Sequence, residues 1–233
     1  MWSADAIVHA AAEGLRHIAE QLDAEQAVMG IDALDELDLH PVIGKGLTAV
    51  GVGVLAEQPY PSSPLARPHD RDRPRCDLVL TPQPGQILAD QILRDRERDR
   101  AAVTLFADIA DTLDDDINTV DPREAMWIEV KAVGQFTALR GASEPNPSYA
   151  SEMVRGPLAD LRKLAADPII EHAGAMLIVM CERPEIAEND MGIVTHRCLD
   201  AGLNVAAPAI ATIPIVNRMG NACAAVGLIR LRR

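Results

Sequence analysis

The residues best placed to do chemistry in this chain are an aspartate on one short apolar segment and a Glu-x-Lys on another. The first segment is Arg75-Cys76-Asp77-Leu78-Val79-Leu80, and the second is Trp127-Ile128-Glu129-Val130-Lys131. Val, Ile and Leu dominate both, and turn residues bound them, so each reads as a β-strand. Side chains alternate across a strand, so Glu129 and Lys131 share one face while Ile128 and Val130 share the other. An acid and an ammonium group on an apolar strand are costly to bury unless they are paired or bind a metal. Together with Asp77 they supply what divalent-cation-assisted phosphodiester hydrolysis needs. Two hard oxygen ligands hold the ion, and a lysine sits near the attacking water.

The order Asp77, then Glu129-Val130-Lys131, resembles the PD-(D/E)xK nuclease superfamily with its restriction-endonuclease-like fold. Cys76 stands where that motif commonly has Pro, and a long acidic insertion separates Asp77 from Glu129. The resemblance implies a helix carrying a Glu, a β-meander holding the motif, then a helix and a further strand. The helical stretch with Glu36, the helix from Tyr149 to Leu164 and the strand from Ala173 to Cys181 follow in that order, so the match spans roughly residues 30 to 181. It further implies Mg²⁺ or Mn²⁺ as cofactor, held by Asp77, Glu129 and the Val130 carbonyl. Lys131 would orient or help deprotonate water, and nucleic acid, DNA foremost, would be the substrate.

A second tier of residues surrounds the motif. Glu36 and Glu57 are rivals for a further metal-binding carboxylate. Glu36 lies on a helix crowded with acids, which also suits a solvated face. Glu57 ends an apolar strand before Pro-Tyr-Pro. Gln135 lies four residues past Lys131, within reach of a phosphate or water, although a plain loop amide suits it as well. Arg155 and Lys163, just over two helical turns apart, lie near one face of the helix after the motif, with Tyr149 at its start. They are candidate substrate contacts set against ordinary surface charge. Arg67, Arg71, Arg73 and Arg75 offer a phosphate-contacting loop, but His69, Asp70 and Asp72 interleave them. Asp114-Asp115-Asp116 lacks the spacing and the Gly of a calcium loop.

Charge qualifies the nucleic-acid reading. The net charge is −13, and phosphate binding is driven largely by cationic surface. The acidity is concentrated, however. Residues 1–38 carry a net −8, residues 86–121 a net −6, and the remainder a net +1. The motif-bearing core is therefore nearly neutral. The acidic segments suit the alternative of a non-catalytic binding or assembly protein that keeps the fold and meets a protein partner or a second copy of itself. Cys76, Cys181, Cys198 and Cys223 form no Cys-x-x-Cys pair and read as small buried hydrophobes. The six histidines are scattered too, and no zinc spacing emerges. No apolar run reaches the roughly 20 residues that span a bilayer. Met1 to Ala12 lacks a basic lead-in. The expectation is a soluble, cytoplasmic protein with no membrane association.

The elements that must position these residues follow from period and punctuation. Ser3 caps a helix to about Leu22. A second helix runs from Ala24 to Leu39, breaks or kinks at Pro41, and resumes over Val42–Leu47. Strands are expected at Val50–Glu57, Cys76–Leu80, Met126–Lys131 and Ala173–Cys181, forming the centre of a mixed sheet. Gln86 to Leu113 is helical in pattern, Gly141 to Pro147 is a loop, and Glu188 to Gly202 is a helix. Residues 209–216 and 222–231 read as a C-terminal hairpin that extends or caps the sheet. The expected fold is α/β: one domain over residues 1–233, restriction-endonuclease-like. It carries a helical N-terminal segment (1–40) and an acidic helical insertion (86–121).

Overall fold

A computed structural model describes residues 2–62, 74–89, 118–139 and 142–233. Helix α1 (Ala4–Ala24) starts where Ser3 Oγ accepts the Ala6 N–H, and its apolar spacing buries Ile7, Val8, Ala11 and Leu15. The acidic stretch expected to form one helix from Ala24 to Leu39 is α-helical only at its two ends, Ala24 in α1 and Glu36–Leu39 in the next helix. After α1 the chain turns, makes a short 3-10 segment at Ile31–Ala33, and enters α2 (Glu36–Ala49) from Asp35. The acids at Glu36 and Asp38 fall in the first turn, where the helix end favours negative charge. Pro41 is only the sixth residue of α2 and costs the helix one early N–H bond, so the helix passes through it. The separate helix expected at Val42–Leu47 is the second half of α2.

Helices α1 and α2 touch backbone to backbone. A Cβ on Gly46 would collide with the Ala10 carbonyl oxygen, and one on Gly14 with that of Val42. This close approach is what sets the N-terminal end of α2 over the sheet.

The sheet has six strands: β1 (Gly53–Pro59), β2 (Arg75–Thr81), β5 (Met126–Gly134), β8 (His172–Cys181), β9 (Ala209–Pro214) and β10 (Cys223–Arg230). Their order is β1-β2-β5-β8-β10-β9. Only β5 and β8 run parallel, joined by helix α3 (Tyr149–Ala166); every other neighbouring pair is antiparallel. β1 is therefore an edge strand rather than a central one, and the C-terminal hairpin extends the sheet at the opposite edge. Two small two-stranded sheets stand apart: β3 (Ile87–Leu88) with β4 (Thr119–Val120), and β6 (Phe136–Leu139) with β7 (Ala142–Pro145). β7 occupies part of the stretch expected as loop. The helix expected from Gln86 begins instead with β3, and its remainder lies outside the described residues. Helix α4 (Pro184–Asp200) starts four residues before the expected Glu188, with Pro184 in the first turn, where a missing N–H costs nothing.

Strand alternation divides the core into two layers. Leu78, Leu80, Ile128, Val130, Met176, Ile178 and Val226 pack under α1 and α2. Val79, Trp127, Ala175, Leu177, Val179 and Ala225 pack with residues of α3 and α4. The protein is thus a mixed α/β fold with helices on both faces of one six-stranded sheet. The alternation breaks at Cys76, which joins the α3 side although Leu78 and Leu80 lie on the other. The break falls beside Asp77. Among the described residues no helix is long and apolar enough to cross a membrane.

Candidate active site

Asp77 sits where the β2–β5 ladder ends. That ladder pairs Leu80 with Met126, Val79 with Trp127 and Leu78 with Ile128, and stops there. One step further Asp77 would face Glu129. There the Asp77 side chain replaces a ladder bond: its Oδ2 accepts the Val130 N–H at 2.7 Å. The aspartate is thereby held at the mouth of the gap between the two strands.

Glu129, 3% exposed, points toward α3. Its Oε1 accepts a short hydrogen bond from the Tyr60 hydroxyl. Burial, opposed by the Tyr60 bond and reinforced by the neighbouring Asp77 and Asp160 carboxylates, pushes its pKa up to about 8. In the other direction, burial and the Glu129 carboxylate push the Tyr60 phenol far above its ordinary value. The Tyr60 ring also stacks on Trp127, with centroids 6.3 Å apart, which keeps the hydroxyl aimed at Glu129.

Lys131 runs from the same strand into a ring of oxygens. Its Nζ donates to the Val130 carbonyl at 2.8 Å and to Glu36 Oε1 at 3.0 Å, and lies 3.5 Å from Asp160 Oδ2. Burial pulls the ammonium toward neutrality, but Glu36 and Asp160 outweigh it and hold its pKa above the ordinary value. Lys131 is therefore charged at neutral pH and can only donate. Helix α3 makes room for it at Gly156, where a Cβ would stand 3.2 Å from the lysine Cδ.

Glu36, the first residue of α2, closes the site from the far side. While Oε1 holds Lys131, Oε2 accepts the Ala132 N–H at 3.1 Å. One turn on, His40 presents its ring to the same place. Glu36, His40 and Asp77 offer ligand atoms that all lie within 4.8 Å of one another. An open groove of about 820 Å³ runs alongside, lined by His40, Gly44, Lys45, Glu57 and Leu78 among others.

Among the expected site residues, the structure brings Asp77, Glu129, Val130, Lys131 and Glu36 together. Glu57 is exposed on β1, opposite Asp77, with a positive φ of 53°. It lines the groove rather than joining the cluster, so Glu36 is the carboxylate that arrives. Gln135 is not at the site. Its Oε1 accepts the Glu182 N–H at 3.1 Å, and its backbone ties the end of β5 to Met180 and Asn146. It is a strand-end brace, since β5 runs three residues past Lys131 and carries the chain away from the gap. Arg155 is exposed on α3, outside the cluster. Lys163 reaches the cluster indirectly, donating to Asp160 Oδ1 at 2.6 Å. Arg75 donates to the Glu57 carbonyl at 2.8 Å. Arg67, Arg71, Arg73 and the Asp114–Asp116 triplet lie outside the described residues. The four cysteines are free and buried.

Three members of the site escaped the reading of the sequence. Asp160 interrupts the buried stripe Met153, Pro157, Leu161, Leu164 of α3, and a carboxylate on an apolar helix face is a signal that could have found it. His40 follows Glu36 by four residues, which places both on one helix face. Tyr60 had no local signal beyond its place after Pro59. No protein-family model, curated protein or solved structure matches the chain.

Proposed function

We propose that this chain is a divalent-metal-dependent phosphodiester hydrolase acting on nucleic acid, DNA foremost. The observation that carries the reading is the meeting of Asp77, Glu129, Lys131 and Glu36, drawn from β2, β5 and α2, where the β2–β5 ladder ends beside an open groove. The order α2–β1–β2–β5–α3–β8, three antiparallel strands followed by a helical crossover to a parallel one, accords with the restriction-endonuclease-like arrangement that the motif resembles.

The donor set suits a cation. Four carboxyls, Glu36, Asp77, Glu129 and Asp160, face two ammonium groups, Lys131 and Lys163. One side-chain atom of this group, Asp160 Oδ2, is buried without a hydrogen bond, with the Lys131 ammonium 3.5 Å away. Mg²⁺ or Mn²⁺ would be held by Asp77 together with Glu36 or Glu129. When bound, such an ion polarises the phosphoryl oxygen and acidifies water.

The remaining work falls to the chain's own groups. Glu129, whose pKa of about 8 keeps it largely protonated at neutral pH in the metal-free protein, would become a carboxylate able to ligate or to take a proton from water once a nearby cation lowers that value. Lys131 stays charged and stands between Val130 O and Glu36, so its part is to orient that water or meet the charge growing on phosphate. Lys45, which lines the groove, is a cation available to the flanking backbone phosphates.

One observation favours a second reading, a binding or assembly protein with the same fold. Lys131 already has three oxygen partners and Glu129 already holds Tyr60, so the cluster can brace the sheet without turnover. The discriminating experiment incubates the protein with Mn²⁺ or Mg²⁺ and single- or double-stranded DNA or RNA at low ionic strength. Cleavage that Lys131→Ala abolishes supports the hydrolase. No cleavage of any of these substrates leaves the binding protein.

A further inference from the structure

Two sets of side chains flank Asp77: Glu129 on β5, and Glu36 with His40 on α2. Glu129 is buried, and its Oε1 is engaged by the Tyr60 hydroxyl. The α2 side is different. His40 is 6% exposed, and its Nε2 is buried with no hydrogen-bond partner. A buried polar atom left unpaired costs about 1–3 kcal/mol, and native proteins carry few of them.

The ring offers a nitrogen within 4.8 Å of carboxylate oxygens of both Glu36 and Asp77. Donors about 2.1 Å from a shared ion stand roughly 3–4 Å apart, so the three groups lie within about 2 Å of ligating separation. Both carboxylates keep the capacity to ligate. Glu36 accepts one bond at each oxygen and Asp77 one at Oδ2, which leaves lone pairs on each group. Glu36 and His40 share one face of a helix pinned to α1, so two of the three ligands stand on a rigid element. The groove lined by His40, Glu57 and Leu78 supplies a route from solvent.

We infer that Glu36, His40 and Asp77 together hold one divalent transition-metal ion, with the His40 nitrogen selecting Mn²⁺, Fe²⁺, Co²⁺ or Zn²⁺ over Mg²⁺. The inference rests on the reading of a cation at Asp77 and goes further by naming its ligands and its metal class. The physical reason is ligand chemistry. Imidazole suits transition metals, whereas Mg²⁺ favours carboxylate and water oxygens.

The test titrates metal-stripped protein with MnCl₂, CoCl₂ and MgCl₂ by calorimetry, comparing wild type, His40→Phe and Asp77→Asn. Wild type should bind Co²⁺ and Mn²⁺ at least about tenfold more tightly than Mg²⁺. His40→Phe should weaken Co²⁺ and Mn²⁺ by about tenfold or more while changing Mg²⁺ far less. Asp77→Asn should remove binding of all three. Pulsed EPR of the Mn²⁺-loaded wild type carrying ¹⁵N-histidine should show nitrogen coupling that Asp77→Asn abolishes, and it decides the matter if His40→Phe does not fold. Unchanged Mn²⁺ and Co²⁺ affinity in His40→Phe, equal affinity of wild type for Mg²⁺ and Mn²⁺, or no histidine coupling overturns the His40 assignment and leaves a cation at Asp77 standing. No binding by wild type, or binding indifferent to Asp77→Asn, overturns both.

Discussion

Lys131 Nζ lies 3.0 Å from Glu36 Oε1, a contact between residues 95 positions apart. It joins the central strand to the first turn of α2 and fixes the lysine beside the Val130 carbonyl. Replacing Lys131 by Met keeps the stem but removes the charge. If the ammonium orients water or meets phosphate charge, cleavage should fall by about a hundredfold or more. Divalent-metal affinity should be retained, because a protonated lysine is no ligand. Cleavage equal to wild type would assign the activity to another site or a contaminant.

The Asp77 carboxylate both terminates the ladder and faces Glu36 and His40, the other proposed cation ligands. Asp77→Asn keeps an acceptor for the Val130 N–H but loses the charge. Wild type should gain about 2.7 kcal/mol of stability at a metal concentration a hundred times the Kd. The variant should gain little. Thermal melts with and without Mn²⁺ measure the difference, and an equal rise in both proteins would place the ion elsewhere.

Glu129 makes the metal-free protein sensitive to pH. Burial raises its pKa from the ordinary 4.5 to about 8. Below about 4.5 the carboxyl is protonated in both the folded and unfolded chains. Between the two values the folded chain keeps a proton that the unfolded chain has released. Stability therefore falls as pH rises, by up to about 1.4 kcal/mol per pH unit, and the loss is complete above the folded value. Melts in the presence of chelator between about pH 5 and 9 should show this slope, and Glu129→Gln should flatten it. Tyr60→Phe removes a bond that favours the ionised form and should move the window upward. An identical slope in Glu129→Gln would assign the effect to other groups.

Gly46 controls where α2 sits. A methyl group there meets the Ala10 carbonyl oxygen, which belongs to backbone and cannot move aside cheaply. Gly46→Ala should therefore destabilise the protein by about 1–3 kcal/mol, although alanine is the better helix former. Because Glu36 and His40 ride on α2, the response to metal should weaken as well. A stabilised variant with unchanged metal response would mean that α1 and α2 separate freely.

The strands that carry the motif were legible because their period is local. Alternation of apolar residues around Asp77 and Glu129 marks β2 and β5, and the unbroken run Ala173–Cys181 marks a strand buried on both faces. Helix α2 was misplaced because its acids look equally at home in a solvated helix. Only the turn at residues 25–30 and the start at Glu36 give them their place.

The amino-acid order alone determined the alternation and the α/β class, since each depends on neighbours a few positions apart, and it singled out Asp77, Glu129 and Lys131 through their resemblance to a known motif. Tertiary structure decided which distant groups complete the site. Glu36 rather than Glu57 arrives because α1 and α2 meet at two glycines and set the first turn of α2 over the ladder's end. Tyr60, His40 and Asp160 join because a loop, a helix face and a crossover helix converge there, and no local period encodes the distance between separate elements.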